Sequence, residues 1–266
     1  MRVAANTKKN NVKISIITVV YNNVKEIKSA IESVISQDYS HIEHIIVDGG
    51  STDGTIEIIK EHLDKVSVFI SEPDKGIYDA LNKGVLCASG DVVAILHSDD
   101  KFCNAHVCSD VMKHMDKISA EFCFSDMVIV DNFSGKILRY YMAGYFKKWM
   151  FRIGWMPPHP ACFIKRSLFD EFGLYSTDYK IAGDFDLLVR FFYGREIKWS
   201  YLDQISIKMS SGGVSNSGWQ SKKLIFNEIR RSLKSNGVWS LSIFQLIRYI
   251  IRLLEVIVKP RKGRCD

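Results

Sequence analysis

The apolar run Val92-Val93-Ala94-Ile95-Leu96 stops in His97-Ser98 and two adjacent carboxylates, Asp99 and Asp100. Hard oxygen ligands of this kind suit Mg²⁺ or Mn²⁺, which one or two carboxylates hold while substrate phosphates complete the shell. The same short polar residues would equally cap a helix N-terminus. Further acids and polar groups follow other apolar runs: Asp48 in Asp48-Gly49-Gly50-Ser51, Asp74 and Lys75 in Glu72-Pro73-Asp74-Lys75-Gly76, and Tyr21-Asn22-Asn23. Asp48 beside Gly49 also has the composition of an ordinary turn. A last acidic pair, Asp184 and Asp186, falls in the first turn of an expected helix, where the dipole favours negative charge.

These residues need elements to carry them. From Val12 to Asp100 short β-branched runs alternate with helical patterns, the signature of βαβ units around a mainly parallel sheet. Strands are expected at Ile14–Val20, His41–Val47, Val66–Ile70 and Val92–Leu96, with helices at Glu26–Ile35, Thr55–His62 and Ile77–Leu86. Open α/β sheets bind ligands at the carboxyl edge of their strands. That rim reads as a nucleotide-sugar site, with Asp48 near base or ribose and Asp74 and Lys75 reaching ribose or phosphate. Beyond residue 100 the expected elements are a helix at Ala105–Asp116, strands near Glu121–Val130, Gly135–Tyr141 and Ala161–Ile164, and a helix at Gly183–Phe192. Met156-Pro157-Pro158-His159-Pro160 must be a loop, because its prolines remove donors and restrict their neighbours.

A chain of 266 residues with 47% hydrophobic and 25% charged content can bury a sizeable core. Its charge of +6 is unevenly placed: residues 221–266 hold eleven Lys or Arg against three acids. The folded body therefore lacks the basic, aromatic-interleaved patch of a nucleic-acid binder. Cys87, Cys103, Cys108, Cys123, Cys162 and Cys265 form no CxxC pair or zinc-like spacing, so they read mostly as small buried hydrophobes in a reducing cytosol. Residues 1–12 form a polar extension without the apolar core of a signal peptide, so a cytoplasmic location is expected.

Four segments, in order and spacing, resemble the inverting family 2 glycosyltransferases of GT-A fold, especially those of bacterial O-antigen and exopolysaccharide synthesis. They are Ile14–Asn22, Ile45–Thr55, Ser71–Gly84 and Ser98-Asp99-Asp100, and the likeness runs from about residue 12 to 215. The resemblance implies a Rossmann-like central mixed sheet flanked by helices. Residues 13–103 would bind the nucleotide sugar and residues 104–218 the acceptor. It places Val19, Tyr21 and Asp48 beside uracil or ribose, Asp74 and Lys75 along the donor, and Asp100 on the cation with Asp99 nearer the sugar. Ser98 stands where the family's DxD motif begins with an acid, and Gly49 replaces a second acid common after Asp48. Asp184 matches the general base, with Asp186 in reserve, and Gly183 replaces the acid that often precedes it. His159 would lie in the acceptor region, and Gly212-Gly213 would close over phosphates or serve as a plain linker.

Residues 219–266 read as a basic amphipathic helical region. From Ser242 to Lys259 the residues Ser242, Gln245, Arg248, Arg252, Glu255 and Lys259 recur every three or four positions in an otherwise apolar segment. Such a helix is buried around most of its circumference, on its own domain, on a second copy in a homodimer, or in the plane of a membrane. Arg248 and Arg252 disfavour a spanning helix. The whole implies a metal-dependent hexosyltransferase at the inner face of the cytoplasmic membrane. It would move glucose or galactose from a UDP-sugar to a sugar on a polyprenyl-diphosphate carrier. Transfer to polyprenyl phosphate, and a non-catalytic nucleotide- or membrane-binding scaffold, are the rival readings.

Overall fold

The structure, a computed structural model, describes residues 12–131, 134–211 and 218–258. Its first half follows the expected alternation: β1 (Ile14–Val20), α1 (Ile27–Ile35), β2 (Ile42–Asp48), α2 (Thr55–Lys60), β3 (Val68–Ser71), α3 (Ile77–Cys87) and β4 (Val92–Ile95). The second half comprises β5 (Asp100–Phe102), α4 (Val107–Ile118), β6 (Phe122–Val130), β7 (Ile137–Tyr141), β8 (Cys162–Lys165), α5 (Arg166–Phe172), α6 (Gly183–Gly194) and β9 (Trp199–Ser210). Two helices close the chain, α7 (Gly218–Ser235) and α8 (Gln245–Ile257).

Among the described residues the strands form one sheet in the order β3-β2-β1-β4-β8-β6-β9-β5, with β7 also on β6. β3, β2, β1 and β4 are parallel, and β8 turns the sheet antiparallel at β4. The chain leaves β1 toward β2 and β3, then returns to place β4 on the other side of β1. That reversal opens a crevice at the carboxyl ends of β1 and β4, where ligands bind in open α/β sheets.

Helices cover both faces, which is why these strands are apolar throughout rather than alternating. Ile17, Val19, Ile45 and Val47 pack toward α3, whereas Val20 and Ile46 meet Ile27 and Ile31 of α1. In the second half an aromatic cluster fills the core. Phe146 lies 5.5 Å from Phe124, 5.5 Å from Phe192 and 5.7 Å from Trp155, mostly edge-on. The aromatic stretch after Tyr145 is a 3-10 turn, Lys148–Ile153, whose Met150, Phe151 and Ile153 point inward.

Three elements were not anticipated. β5 has three residues, too few for any period, and α5 is a seven-residue helix. β9 did carry a signal, since Ile205, Ile207 and Met209 alternate with polar residues. Residues 156–160, expected as a loop, lead into a short 3-10 turn at His159–Ala161. The boundary expected at 218 does not separate two packing units, because Ile225, Ile229 and Leu233 of α7 belong to the main core. Cys103, Cys108, Cys123 and Cys162 are buried and Cys87 is exposed, while Cys265 lies outside the described residues.

The contact of α3 with β1 is close enough to test. A Cβ on Gly84 would overlap the Cγ2 atom of fully buried Ile17. Alanine in a helix interior gains about 1 kcal/mol over glycine, but overpacking a core costs about 1–3 kcal/mol. Gly84→Ala is therefore expected to lower the urea midpoint without changing the m-value.

Candidate active site

The loops at the carboxyl ends of β1 and β2 are stapled to each other. Asn22, in the left-handed region at φ 49°, accepts the Thr52 N–H at its side-chain Oδ1 (2.8 Å), and its own N–H donates to Ser51 Oγ (2.7 Å). Asparagine tolerates that conformation better than other side-chain-bearing residues. Asp48 is fully buried, and its carboxylate accepts from Gly50 N (3.1 Å), Ser51 N (3.0 Å) and Ser71 Oγ (2.7 Å). It builds the loop on which a ligand would rest.

Beside it, the Asp74 carboxylate lies in the space that a Cβ on Gly49 would take, and the Tyr21 ring approaches the same point at 3.4 Å. Glycine at 49 thus lets Asp74 and Tyr21 converge. Tyr21 is 66% exposed and offers a stacking face, whereas the Val19 side chain is 6% exposed and belongs to the core. Asp74 accepts from Gly76 N (2.8 Å), and Lys75 is exposed.

β4 delivers the acidic pair to the same crevice. Asn23 Nδ2 donates to Ser98 Oγ (2.9 Å), tying the end of β1 to the end of β4. Asp99 is half-buried, and Asp100 is fully buried with neither carboxylate oxygen hydrogen-bonded. Burial, then the charge of Asp99, pushes the Asp100 carboxyl well above its ordinary range. An orphaned buried acid beside a second acid fits a divalent cation. Among the described residues no third His, Cys, Asp or Glu joins them, so substrate oxygens would have to supply the remaining positions.

A row of rings joins this rim to α6. His97 lies 6.4 Å from His159, the His159 Nε2 is 2.9 Å from the Tyr175 hydroxyl, and Tyr175 stacks on Tyr78 at 5.9 Å. Burial, then His97, pushes His159 down to about 3. It is therefore a neutral wall residue bonded to Tyr175. Asn82 fixes Tyr175 from below, donating to its carbonyl (2.8 Å) and accepting from its N–H (2.9 Å). Tyr78 and Asn82 stand four residues apart on α3, so one helix face carries both.

α6 begins at Gly183 after Ala182, whose side chain cannot cap the free N–H groups of the first turn. Two distant residues hold the helix start and the segment ahead of it instead. The Tyr78 hydroxyl accepts from Gly183 N (2.8 Å) and donates to the Ile181 carbonyl (2.5 Å). Buried Glu228 of α7 accepts from the N–H groups of Lys180 (2.8 Å), Ile181 (3.0 Å) and Ala182 (2.8 Å). A Cβ on Gly183 would sit 2.7 Å from the Tyr78 ring, so glycine is what allows that ring to reach the helix end.

Asp184 follows at once. Its carboxylate accepts from Phe185 N (2.7 Å), but burial outweighs that bond and pushes its pKa up to about 6. Asp186 is differently placed. It pairs with Arg190 (3.0 Å) and accepts from Ser232 Oγ (2.9 Å) and Asn236 Nδ2 (3.2 Å), which commits it to joining α6 to α7. Asp184 is thus the acid of the pair open to chemistry. Gly212 and Gly213 lie outside the described residues.

Tyr78, Asn82 and Glu228 escaped the sequence reading. A polar pair at i and i+4 on the otherwise apolar face of α3 was the available signal for the first two. Glu228→Ala would leave three N–H groups without their acceptor, at about 1–3 kcal/mol for each buried group left unpaired. A drop of several degrees in thermal midpoint is expected, and a smaller one for Glu228→Gln, which keeps an acceptor oxygen.

The glycosyl transferase family 2 model matches residues 15–173, which include the crevice and end before α6. An uncharacterized glycosyltransferase of Mycobacterium tuberculosis (strain ATCC 25618 / H37Rv) is 33% identical over 186 residues, covering 66% of this chain and 68% of that protein. The PGL/p-HBAD biosynthesis glycosyltransferase of M. tuberculosis (strain ATCC 25177 / H37Ra) is 28% identical over 206 residues, 76% of this chain and 78% of the relative. Among solved structures, S. aureus TarS 1–349 in complex with UDP-GlcNAc gives a TM-score of 0.67 at 18% identity, over 83% of this chain and 66% of that one. Of the longer TarS chain only 39% is covered. The mannosyltransferase PcManGT from Pyrobaculum calidifontis, in complex with GDP-Man and Mn²⁺, gives 0.60 at 16% identity, over 91% and 70%. At such identities the structural likeness is one of fold, the GT-A fold. With the family match spanning more than half of its length, the chain belongs to glycosyl transferase family 2 and is a transferase enzyme.

Proposed function

We propose that this glycosyltransferase moves a hexose, glucose or galactose, from a UDP-sugar to a sugar on a polyprenyl-diphosphate carrier, with inversion at the anomeric carbon. The setting is assembly of O-antigen or a related surface polysaccharide at the inner face of the cytoplasmic membrane. The observation that carries the reading is Asp184, a carboxyl with a pKa of about 6 at a doubly held helix end, joined by a row of rings to the Asp99–Asp100 rim. UDP and UDP-GlcNAc complexes of the TarS neighbour support the choice of donor.

In the proposed reaction the acceptor hydroxyl gives its proton to Asp184 as its oxygen forms a bond to the anomeric carbon. The carbon–oxygen bond to the diphosphate breaks, and UDP leaves with the electron pair. Tyr21 and the Asp48 loop would hold the base and ribose, while Asp74 and Lys75 line the donor. Asp99 and Asp100 would hold a Mn²⁺ or Mg²⁺ ion, whose charge, when bound, stabilises the diphosphate leaving group. A neighbour of the same fold solved with GDP-Man and Mn²⁺ supports the choice of a divalent cation. His159 and Tyr175 keep the wall between the two halves dry and neutral.

Purified protein with UDP-glucose, UDP-galactose, Mn²⁺ and a lipid-diphosphate monosaccharide analogue should give a product heavier by one hexose, read by mass spectrometry. Absence of transfer from every UDP-sugar by folded protein would refute the proposal. Asp184→Asn should cost about a hundredfold to ten-thousandfold in turnover while UDP binding persists, whereas a scaffold would be unaffected. Because the base works deprotonated and its pKa lies near 6, kcat/KM should rise with pH through that value. Tyr78→Phe removes both hydrogen bonds of that hydroxyl and should lower kcat by about tenfold, the equivalent of about 1.4 kcal/mol, with the donor KM little changed.

A further inference from the structure

The last helix is inside out. Gln245 (0% exposed), Arg248 (4%) and Glu255 (4%) face the protein, and Arg252 is half-buried beside them. These residues are three, four and three positions apart, one stripe of the helix. The opposite stripe carries Ile243, Ile247, Ile250, Leu254 and Ile257, all exposed, with Leu253 next to it. The sequence led us to expect burial around most of the circumference, on the protein's own domain, on a second copy or in the plane of a membrane. The protein itself covers the polar stripe and leaves the apolar face uncovered.

The rotation of α8 is fixed by an ion pair. Arg139 of β7 meets Glu255 through Nε (2.6 Å) and Nη2 (2.5 Å), with the carboxylate almost wholly buried. Both nitrogens converge on Oε2, and a buried charge-assisted contact of this kind sets geometry more firmly than a surface pair. Turning the helix to hide its leucines and isoleucines would pull Glu255 away from Arg139 and leave each charge unpaired, a costly exchange.

Cations stand at the α7 end of this face. Exposed Arg230 and Lys234 of α7 line a cleft of about 510 Å³ together with Trp239, which is 62% exposed and packs edge-on against Phe244 at the start of α8. Glu255 is the single acid between Trp239 and Val258, and it is buried. In the sequence, Lys259, Arg261, Lys262 and Arg264 follow, outside the described residues. No helix among the described residues is long and apolar enough to cross a membrane.

We infer that this face lies in the interface of an anionic lipid bilayer, with α8 in the membrane plane and the α7 cations and Trp239 at headgroup level. An isoleucine–leucine face with an exposed tryptophan and cations beside it, in a segment whose sequence goes on to four more, is the composition of an interfacial helix. A second copy is the poorer occupant, because an isologous dimer would set the Arg230–Lys234 rim close to its own symmetry mate. The inference deepens the membrane part of the function proposed above, and it is read without donor or acceptor. Its failure would leave the transfer chemistry standing, and failed transfer would leave it standing.

The full chain should float with phosphatidylcholine vesicles containing phosphatidylglycerol and not with phosphatidylcholine alone, and high salt should weaken the binding. The double variant Ile250→Glu with Leu253→Glu changes only exposed positions, so its thermal midpoint should hold while vesicle binding falls about tenfold or more. Arg230→Glu with Lys234→Glu should lose the preference for phosphatidylglycerol. Failure of the unmodified chain to float with anionic vesicles overturns the inference, as does equal binding to both lipids or an unaffected double variant. A dimer in sedimentation velocity that the double variant dissociates, without vesicle binding, would assign the face to a second copy.

Discussion

Three backbone N–H groups, those of Lys180, Ile181 and Ala182, converge on the carboxylate of Glu228, and the position of Asp184 depends on that capture. A buried carboxylate is tolerable only when its lone pairs are satisfied, and charge-assisted bonds to N–H groups are among the stronger ones available. The segment before α6 has no capping side chain of its own, so the acid on α7 and the phenol of Tyr78 share the task. Tyr78 comes from α3 in the first half and Glu228 from α7. Asp184 thus stands where three parts of the chain meet, and its elevated pKa follows from being enclosed by them.

Hydrogen-bond saturation sorts the acids of this protein by task. Asp48, Asp53, Asp186 and Glu228 have their oxygens engaged by backbone or side-chain donors, and each holds a loop or a helix in place. Asp100 is as deeply buried as Asp48 but has no donor at either oxygen, a state that burial makes expensive unless the group is protonated or meets a cation. Asp184 has a single short bond to the next residue's N–H. A carboxylate kept incompletely satisfied inside a well-satisfied framework is poised to exchange its proton or bind a metal.

The first half was legible almost residue by residue, because continuous apolar runs between glycine-rich turns carry their own boundaries; β1 fell at Ile14–Val20 as expected. Parallel strands covered on both faces produce that pattern without help from distant partners. The second half depended on such partners. Tyr78 finds Gly183 across 105 positions, Asn82 finds Tyr175 across 93, and Glu228 reaches back 46 to 48. No local spacing announces such pairings. Asp186 and Asp184 look alike in sequence, and only Arg190 with Ser232 separates their roles. The α8 stripe was visible, but which side the protein would take was decided by Arg139, 116 residues away.

The bond between Glu228 and the segment ahead of α6 also bears on how this chain can vary. A helical tail that only attached an enzyme to a surface could be exchanged, shortened or lost without consequence for chemistry. Here α7 holds the segment ahead of Asp184's helix on one side and carries cations on the other, so the tail cannot change without touching the surroundings of Asp184. Trimming the chain at 218 to obtain a more soluble protein would remove Glu228 and Ser232 along with the apolar helix. Grafting the tail of a relative would succeed only if the graft returned an acceptor for those three N–H groups.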